Sequence, residues 1–225
     1  MITRLPKIVD IGPIIDQVNR IGYFEKSLVL NETTGKLLNG PYTVKPEFKN
    51  TPLGDLLDSI KNIGEARLLR LKSGETYTAH CDPDDRIHLA ITTNPYAHLI
   101  DLDNGLTMHL PVDGQLWYMD TGVTHVAANF GGRDRIHLNI RVLLPAFQYP
   151  GYSLSITGGD FDWKQEAYAT VMGFFNKAIK EKKITGIERV DERKVLINCE
   201  PAILDPYITE LKAKGFEVEL NELLS

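Results

Sequence analysis

The sequence predicts a mainly β fold with flanking helices, built around a sandwich or barrel of eight short strands and followed by a small α+β appendage. Three observations lead to this class. Between residues 64 and 144, β-prone runs alternate with turn clusters about every ten residues. Residues 1–63 carry helical rather than strand patterns, and from Asp160 onward helix and strand patterns alternate.

In the first stretch, helices are expected around Ile11–Ile21 and Leu53–Ile63. Thr51-Pro52 offers the second one an N-cap and a proline in its first turn. Between them Lys26–Asn31 reads as extended and Thr33–Gly40 as a loop. The eight expected strands are Ala66–Leu71, Thr76–Asp82, Arg86–Thr92, Ala97–Leu102, Leu106–Pro111, Gln115–Met119, Thr124–Asn129 and Arg135–Leu144. Turn signals such as Ser73-Gly74, Asn94-Pro95 and Gly131-Gly132 separate them. Beyond a Gly- and Ser-rich linker at Gly151–Gly159 come a helix at Trp163–Lys182, a strand at Lys194–Cys199, a helix at Ile203–Lys214 and a strand at Phe216–Leu220. Residues 1–150 are therefore expected to form the main domain and 160–225 the appendage, for which packing, homodimer formation and covering the barrel are all open roles.

Composition excludes some classes. A formal charge of −5 and a pI of about 5.7 argue against a general nucleic-acid surface. No apolar run approaches the ~20 residues that span a bilayer. Asp10 and Pro13 interrupt any export signal, and two cysteines, Cys81 and Cys199, make a disulfide framework or thiolate zinc site improbable. A cytoplasmic, reducing compartment is the expectation.

The chemistry is expected at His80, Asp82 and His125. A His-x-Asp pair is near what chance supplies in a chain with 6 His and 16 Asp, so context decides. His80 and Asp82 end an expected strand, where alternate side chains share a face and Cys81 points away. Gly74-x5-His80-x-Asp82 and Gly114-x7-Gly122-x2-His125-x3-Asn129 resemble the two halves of the cupin signature, which implies a double-stranded β-helix. Two positions depart from that signature. Asp82 stands where a second histidine is usual, with no glutamate following, and Asp120 stands where a proline is usual. Two histidines and a carboxylate make a facial triad with open positions, which suits non-haem Fe(II), although zinc accepts a similar ligand set.

Arg-Ile-His-Leu occurs at Arg86–Leu89 and again at Arg135–Leu138. On a strand Arg and His share one face and Ile and Leu the other. Facing inward, each arginine would need an anion, and a dicarboxylate suits its two-pronged donor geometry. Facing outward, each would form surface ion pairs with Asp84, Asp85 or Asp134.

Together these residues resemble the aspartyl/asparaginyl β-hydroxylase family of 2-oxoglutarate oxygenases over about Ala66–Val142. The resemblance implies that His80 and His125, with Asp82, hold Fe(II), and that Arg135 holds the far carboxylate of 2-oxoglutarate. It places Arg86 and His88 by the near carboxylate or the substrate. Some members carry glycine at the position of Asp82. The implied activity is hydroxylation of an amino acid or peptidyl side chain with O2 as cosubstrate and release of succinate and CO2. Arg86 alone suggests a substrate bearing a carboxylate. Two other readings stand beside this one, a cupin-type isomerase or dioxygenase that does not use 2-oxoglutarate and a non-catalytic barrel binding a small anion or a partner protein.

Thr76 and Thr78 share the expected face of His80, and Asn129 that of His125, so each is a candidate cavity residue or a structural one. His137 repeats the position of His88 and is equally divided between cavity and structure. His98 and His109 receive no role, and Trp117 and Tyr118 read as core and rim.

Overall fold

The computed structural model describes residues 2–158, 166–191 and 193–224. The chain opens with β1 (Ile2–Ile8), α1 (Ile11–Ile21), β2 (Ser27–Val29), the hairpin β3 (Asn31–Lys36) and β4 (Gly40–Val44), and α2 (Pro52–Asp58). The middle comprises β5 (Ile63–Leu71), β6 (Arg86–Thr92), β7 (Ala97–Asp101), β8 (Leu106–Met108), β9 (Gln115–Met119), β10 (His125–Asn129) and β11 (Arg135–Val142). The last part comprises β12 (Gly151–Thr157), α3 (Glu166–Lys180), β13 (Ile184–Arg189), β14 (Lys194–Cys199), α4 (Asp205–Ala213) and β15 (Glu217–Leu223).

The middle part forms two facing sheets. The larger runs β1-β9-β6-β11-β5-β2 and the smaller β10-β7-β8. Residues 76–80 extend the smaller sheet through bridges from Thr76 to Ala128 and from His80 to His125. Four core strands (β5, β6, β9, β11) thus lie in one sheet, and residues 76–80, β7, β8 and β10 in the other. This is the strand order of a double-stranded β-helix, with the smaller sheet closing over one face of the larger.

Side-chain alternation gives the large sheet two apolar faces of different kinds. Outward, Leu68, Ile87, Leu89, Ile136, Leu138 and Ile140 pack beneath α1 and α2, which contribute Ile14, Val18, Leu53, Leu56 and Leu57. Inward, Leu71, Ala90, Trp117 and Met119 meet Leu99, Leu110 and Ala127 in the barrel. Both helices are capped from their own sequence: Asp10 accepts from Gly12 N, and Thr51 from Gly54 N with Pro52 following. Buried Gln17 ties them together, donating to Thr51 Oγ1 at 3.0 Å and accepting from Leu53 N at 2.9 Å.

Several expectations need correction. The second helix stops at Asp58 rather than Ile63, because Asn62 turns the chain at φ 56° and β5 begins at Ile63. Thr33–Gly40, expected as a loop, lies in the β3–β4 hairpin. Asn31 fastens that hairpin to β5, donating to Gly64 O at 2.9 Å and accepting from Ala66 N at 2.8 Å. The strand β1 was not expected, since Pro6 spoils its pattern; at a sheet edge a missing donor is tolerated. Gly151–Thr157, expected as linker, is an inner strand of the C-terminal sheet β13-β14-β12-β15. There Leu154 and Ile156 bury against α3, so the Gly and Ser content was misleading. Of the helix expected at Trp163–Lys182, residues 163–165 lie outside the described residues, and α3 ends at Lys180, before Lys182 turns the chain at φ 58°.

Candidate functional site

His80 and Asp82 close the segment leading into β6, and His125 opens β10. Backbone pairing sets them side by side: His80 N donates to His125 O at 3.1 Å and His125 N to His80 O at 2.9 Å. The ring centroids are 4.5 Å apart, and each Nε2 lies 3.8 Å from Asp82 Oδ2. One ligand atom from each residue falls within 4.8 Å of the others. The Nδ1 of His80 faces Thr78 O at 2.7 Å and that of His125 faces Val123 O at 2.9 Å. A carbonyl can only accept, so both Nδ1 atoms carry hydrogen, and Nε2 is the ring nitrogen turned to Asp82. That arrangement leaves Nε2 as the atom available to a metal.

The electrostatics agree. Burial pushes the Asp82 carboxyl up, but Arg86 first, then His80 and His125, outweigh it and hold it below the usual carboxylate range. Burial lowers His125, favouring the neutral, ligating imidazole. Arg86 is buried and inward-facing, with Nη2 at 2.9 Å from Asp82 Oδ2 and Nη1 at 2.6 Å from Asp84 Oδ2. It therefore steadies the carboxylate of the trio. Asp134, the expected outer partner of an arginine, pairs instead with Arg70 at 2.7 Å.

The trio opens on a cavity of about 230 Å³ lined also by Arg86, His88, Arg135, Leu99 and Ala127. Arg135 is 2% exposed, and among the described residues no carboxylate pairs with it. Its guanidinium lies against the ring nitrogens of His137, at 3.1 and 2.7 Å, and burial pulls its pKa down to about 10. A buried cation without a counter-charge is a site prepared for an anion. His88 receives Asn139 Nδ2 at 3.3 Å, while its Nδ1 has no partner among the described residues. His137 is buried behind Arg135 and does not line the cavity.

Thr76 and Thr78 are exposed, and Tyr77 lines the cavity instead. The cause is a one-residue irregularity. Thr76 pairs with Ala128 but His80 with His125, so four steps on one strand match three on the other. Such a bulge inverts the facing of the side chains before it. Asn129 is fully buried away from the cavity, donating to Leu71 O and Arg133 O and accepting from Asn94 and Gly131. His98 and His109 stand 6.3 Å apart, outside the cavity lining. Trp117 is core, while Tyr118 bonds Asp85.

Sequence reasoning missed Tyr77, Arg67, Asn139 and Arg141, all cavity-lining. Continuing the alternation of β11 from Arg135 through His137 would have given Asn139 and Arg141. Arg141 grips Asp84 through Nη1, at 3.0 Å from both oxygens, and Arg67 pairs with Glu65 at 2.6 Å.

Residues 48–145 match the family model described as aspartyl/asparaginyl β-hydroxylase. No curated protein matches the chain significantly. Among solved structures, the chain is similar to a viral collagen prolyl hydroxylase of Paramecium Bursaria Chlorella virus-1 in complex with 2OG. That match has 13% identity, 63% of this chain, 96% of that one and a TM-score of 0.42. A Pseudomonas putida prolyl-4-hydroxylase matches at 13% identity, over 63% of this chain and 91% of that one, with a TM-score of 0.43. The polyketide cyclase RemF of Streptomyces resistomycificus matches at 14% identity over 39% of this chain and a TM-score of 0.31, and the aligned part spans 59% of the cyclase.

Proposed function

We propose that the chain, whose residues 48–145 match the family model described as aspartyl/asparaginyl β-hydroxylase, is an Fe(II)- and 2-oxoglutarate-dependent dioxygenase that hydroxylates an amino acid or peptidyl side chain. The observation that carries the reading is one cavity holding both a His-Asp-His cluster and a buried guanidinium with no carboxylate partner among the described residues.

His80 and His125 present Nε2 and Asp82 a carboxylate oxygen, and these three would hold Fe(II). Arg86 keeps Asp82 ionised and aimed; Thr78 O and Val123 O keep the imidazoles in the ligating tautomer. Arg135 would receive the far carboxylate of 2-oxoglutarate, and His88 would lie by the near carboxylate or the substrate. Leu69, Leu99 and Ala127 give the cavity apolar walls. When bound, Fe(II) and 2-oxoglutarate would supply the oxidation, one atom of O2 entering succinate as CO2 is released and the other entering a substrate C–H bond.

The test is to screen free amino acids and short peptides with Fe(II)-loaded protein and measure substrate-stimulated succinate release. Metal binding without any 2-oxoglutarate binding would overturn the reading and leave a cupin-type metal enzyme. Absence of metal binding would leave an anion-binding barrel.

A further inference from the structure

Among the described residues the C-terminal part adds no ligand to the trio, yet α3 reaches the framework that holds it. Asp82 and Asp85 lie in the turn before β6; Asp120, Thr121 and Gly122 lie in the turn before β10, three residues ahead of His125. Thr121 laces the two turns together. Its carbonyl accepts from Asp82 N at 2.8 Å, its hydroxyl donates to Asp84 O at 2.8 Å, and its N–H donates to Asp85 Oδ1 at 3.1 Å.

Asp85 is the knot of this lacing and is only 6% exposed. Besides Thr121 and the hydroxyl of Tyr118, its carboxylate takes Asn176 Nδ2 at 2.9 Å and Lys180 Nζ at 3.0 Å, both from α3. Lys180 also pairs with Asp120 in the second turn at 2.7 Å. The helix sits close because glycines allow it. A Cβ on Gly122 would fall 2.6 Å from Asn176 Oδ1, and one on Gly173 would fall 2.7 Å from Gly122 O and 3.3 Å from Cys81 Sγ. Gly122 therefore admits a helix from outside the barrel, and Cys81, turned away from the trio, packs against that helix. A buried carboxylate that loses its cationic and amide donors becomes an uncompensated charge, and the surrounding turns would shift to hydrate it.

We infer that α3 positions the metal ligands: Asn176 and Lys180, acting through Asp85, hold the turns carrying Asp82 and His125 at ligating separation. This inference rests on the metal reading above and assigns the C-terminal unit a part in it.

The experiment is a Co(II) titration of the full chain, following the visible d–d bands, with Asn176→Ala, Lys180→Met and Lys180→Arg. Leu211→Ala, in the core of the C-terminal part, controls for general destabilisation. Asn176→Ala and Lys180→Met are each expected to weaken Co(II) binding about tenfold, the lower end of the range for outer-sphere partners, and to alter the bands. Lys180→Arg should restore both, and Leu211→Ala should lower the melting temperature without changing either. Wild-type affinity and bands in Asn176→Ala and Lys180→Met would overturn the inference while leaving the metal reading intact. Should Asn176→Ala not fold, the half-exposed Lys180 decides on its own. A wild-type chain that binds no Co(II) would remove the metal reading and this one with it.

Discussion

Replacing Arg135 with methionine should separate the stability of the chain from its affinity for 2-oxoglutarate. Burial lowers the guanidinium from the ordinary 12.5 to about 10, a displacement that corresponds to about 3 kcal/mol of cost in the ligand-free protein. Methionine removes that cost and fills most of the volume with apolar atoms. It also leaves a buried nitrogen of His137 without its donor, a loss of about 1–3 kcal/mol. The net expectation is a ligand-free protein as stable as the wild type or more stable by up to about 2 kcal/mol. The ligand responds in the opposite sense. Two charge-assisted hydrogen bonds lost at about 1.5 kcal/mol or more each weaken binding by two to three orders of magnitude. Thermal unfolding in Mn(II) with a 2-oxoglutarate series reads both quantities, because a ligand of the native state raises stability with its concentration. The wild type should show a rising transition, and Arg135→Met should start level or higher and stay flat. A variant that starts much lower yet still responds to 2-oxoglutarate would refute the assignment of Arg135 as an anion site.

Asp82→Ala should reduce Co(II) or Fe(II) affinity at least about a hundredfold, measured by metal titration, because the carboxylate is the one charged ligand and histidines alone do not complete the triad. Tyr77→Ala should weaken 2-oxoglutarate binding measurably by calorimetry while Thr78→Ala leaves it unchanged, since the bulge turns Tyr77 inward and Thr78 outward. Burial, with Arg135 next, holds His88 and His137 well below the ordinary 6.5, so the native chain keeps both neutral while the unfolded chain protonates them. Stability should therefore fall as pH drops below about 6.5, by about 1.4 kcal/mol per pH unit for each such histidine. Urea unfolding at pH 7.5 and 5.5 checks the sign, and a Phe replacement at His137 should flatten the slope.

The barrel was legible because its strands alternate and its turns carry Gly, Asn, Asp and Pro at regular intervals. The repeated Arg-Ile-His-Leu was legible for the same reason: Ile and Leu of both copies do pack under the helices, and Arg86, His88 and Arg135 do line the cavity. What escaped depended on tertiary partners. The β3–β4 hairpin has a polar, glycine-bearing sequence and gains its place from Asn31, 33 and 35 residues from its partners Gly64 and Ala66. The inward turn of Tyr77 depends on a mismatch between two strands, which parity along one strand does not reveal. Gly122 was read as part of a turn signature, and its close contact with Asn176 lies 54 residues away in a part of the chain without a motif. Arg86 faces inward as expected, but its bonds to Asp82 and Asp84 required the folded turn.

The two copies of that tetrapeptide lie on neighbouring strands running in opposite directions, with Arg86 opposite Arg141 and Arg135 opposite Leu71. One word is thus read forwards on β6 and backwards on β11. Its two arginines root six residues apart along β11, roughly 20 Å at the rise of an extended chain. Repetition in the sequence does not duplicate a site here; it gives the cavity two unlike poles. One cation pairs with the protein's own acids, Asp82 of the trio and Asp84, and the other has no carboxylate partner among the described residues.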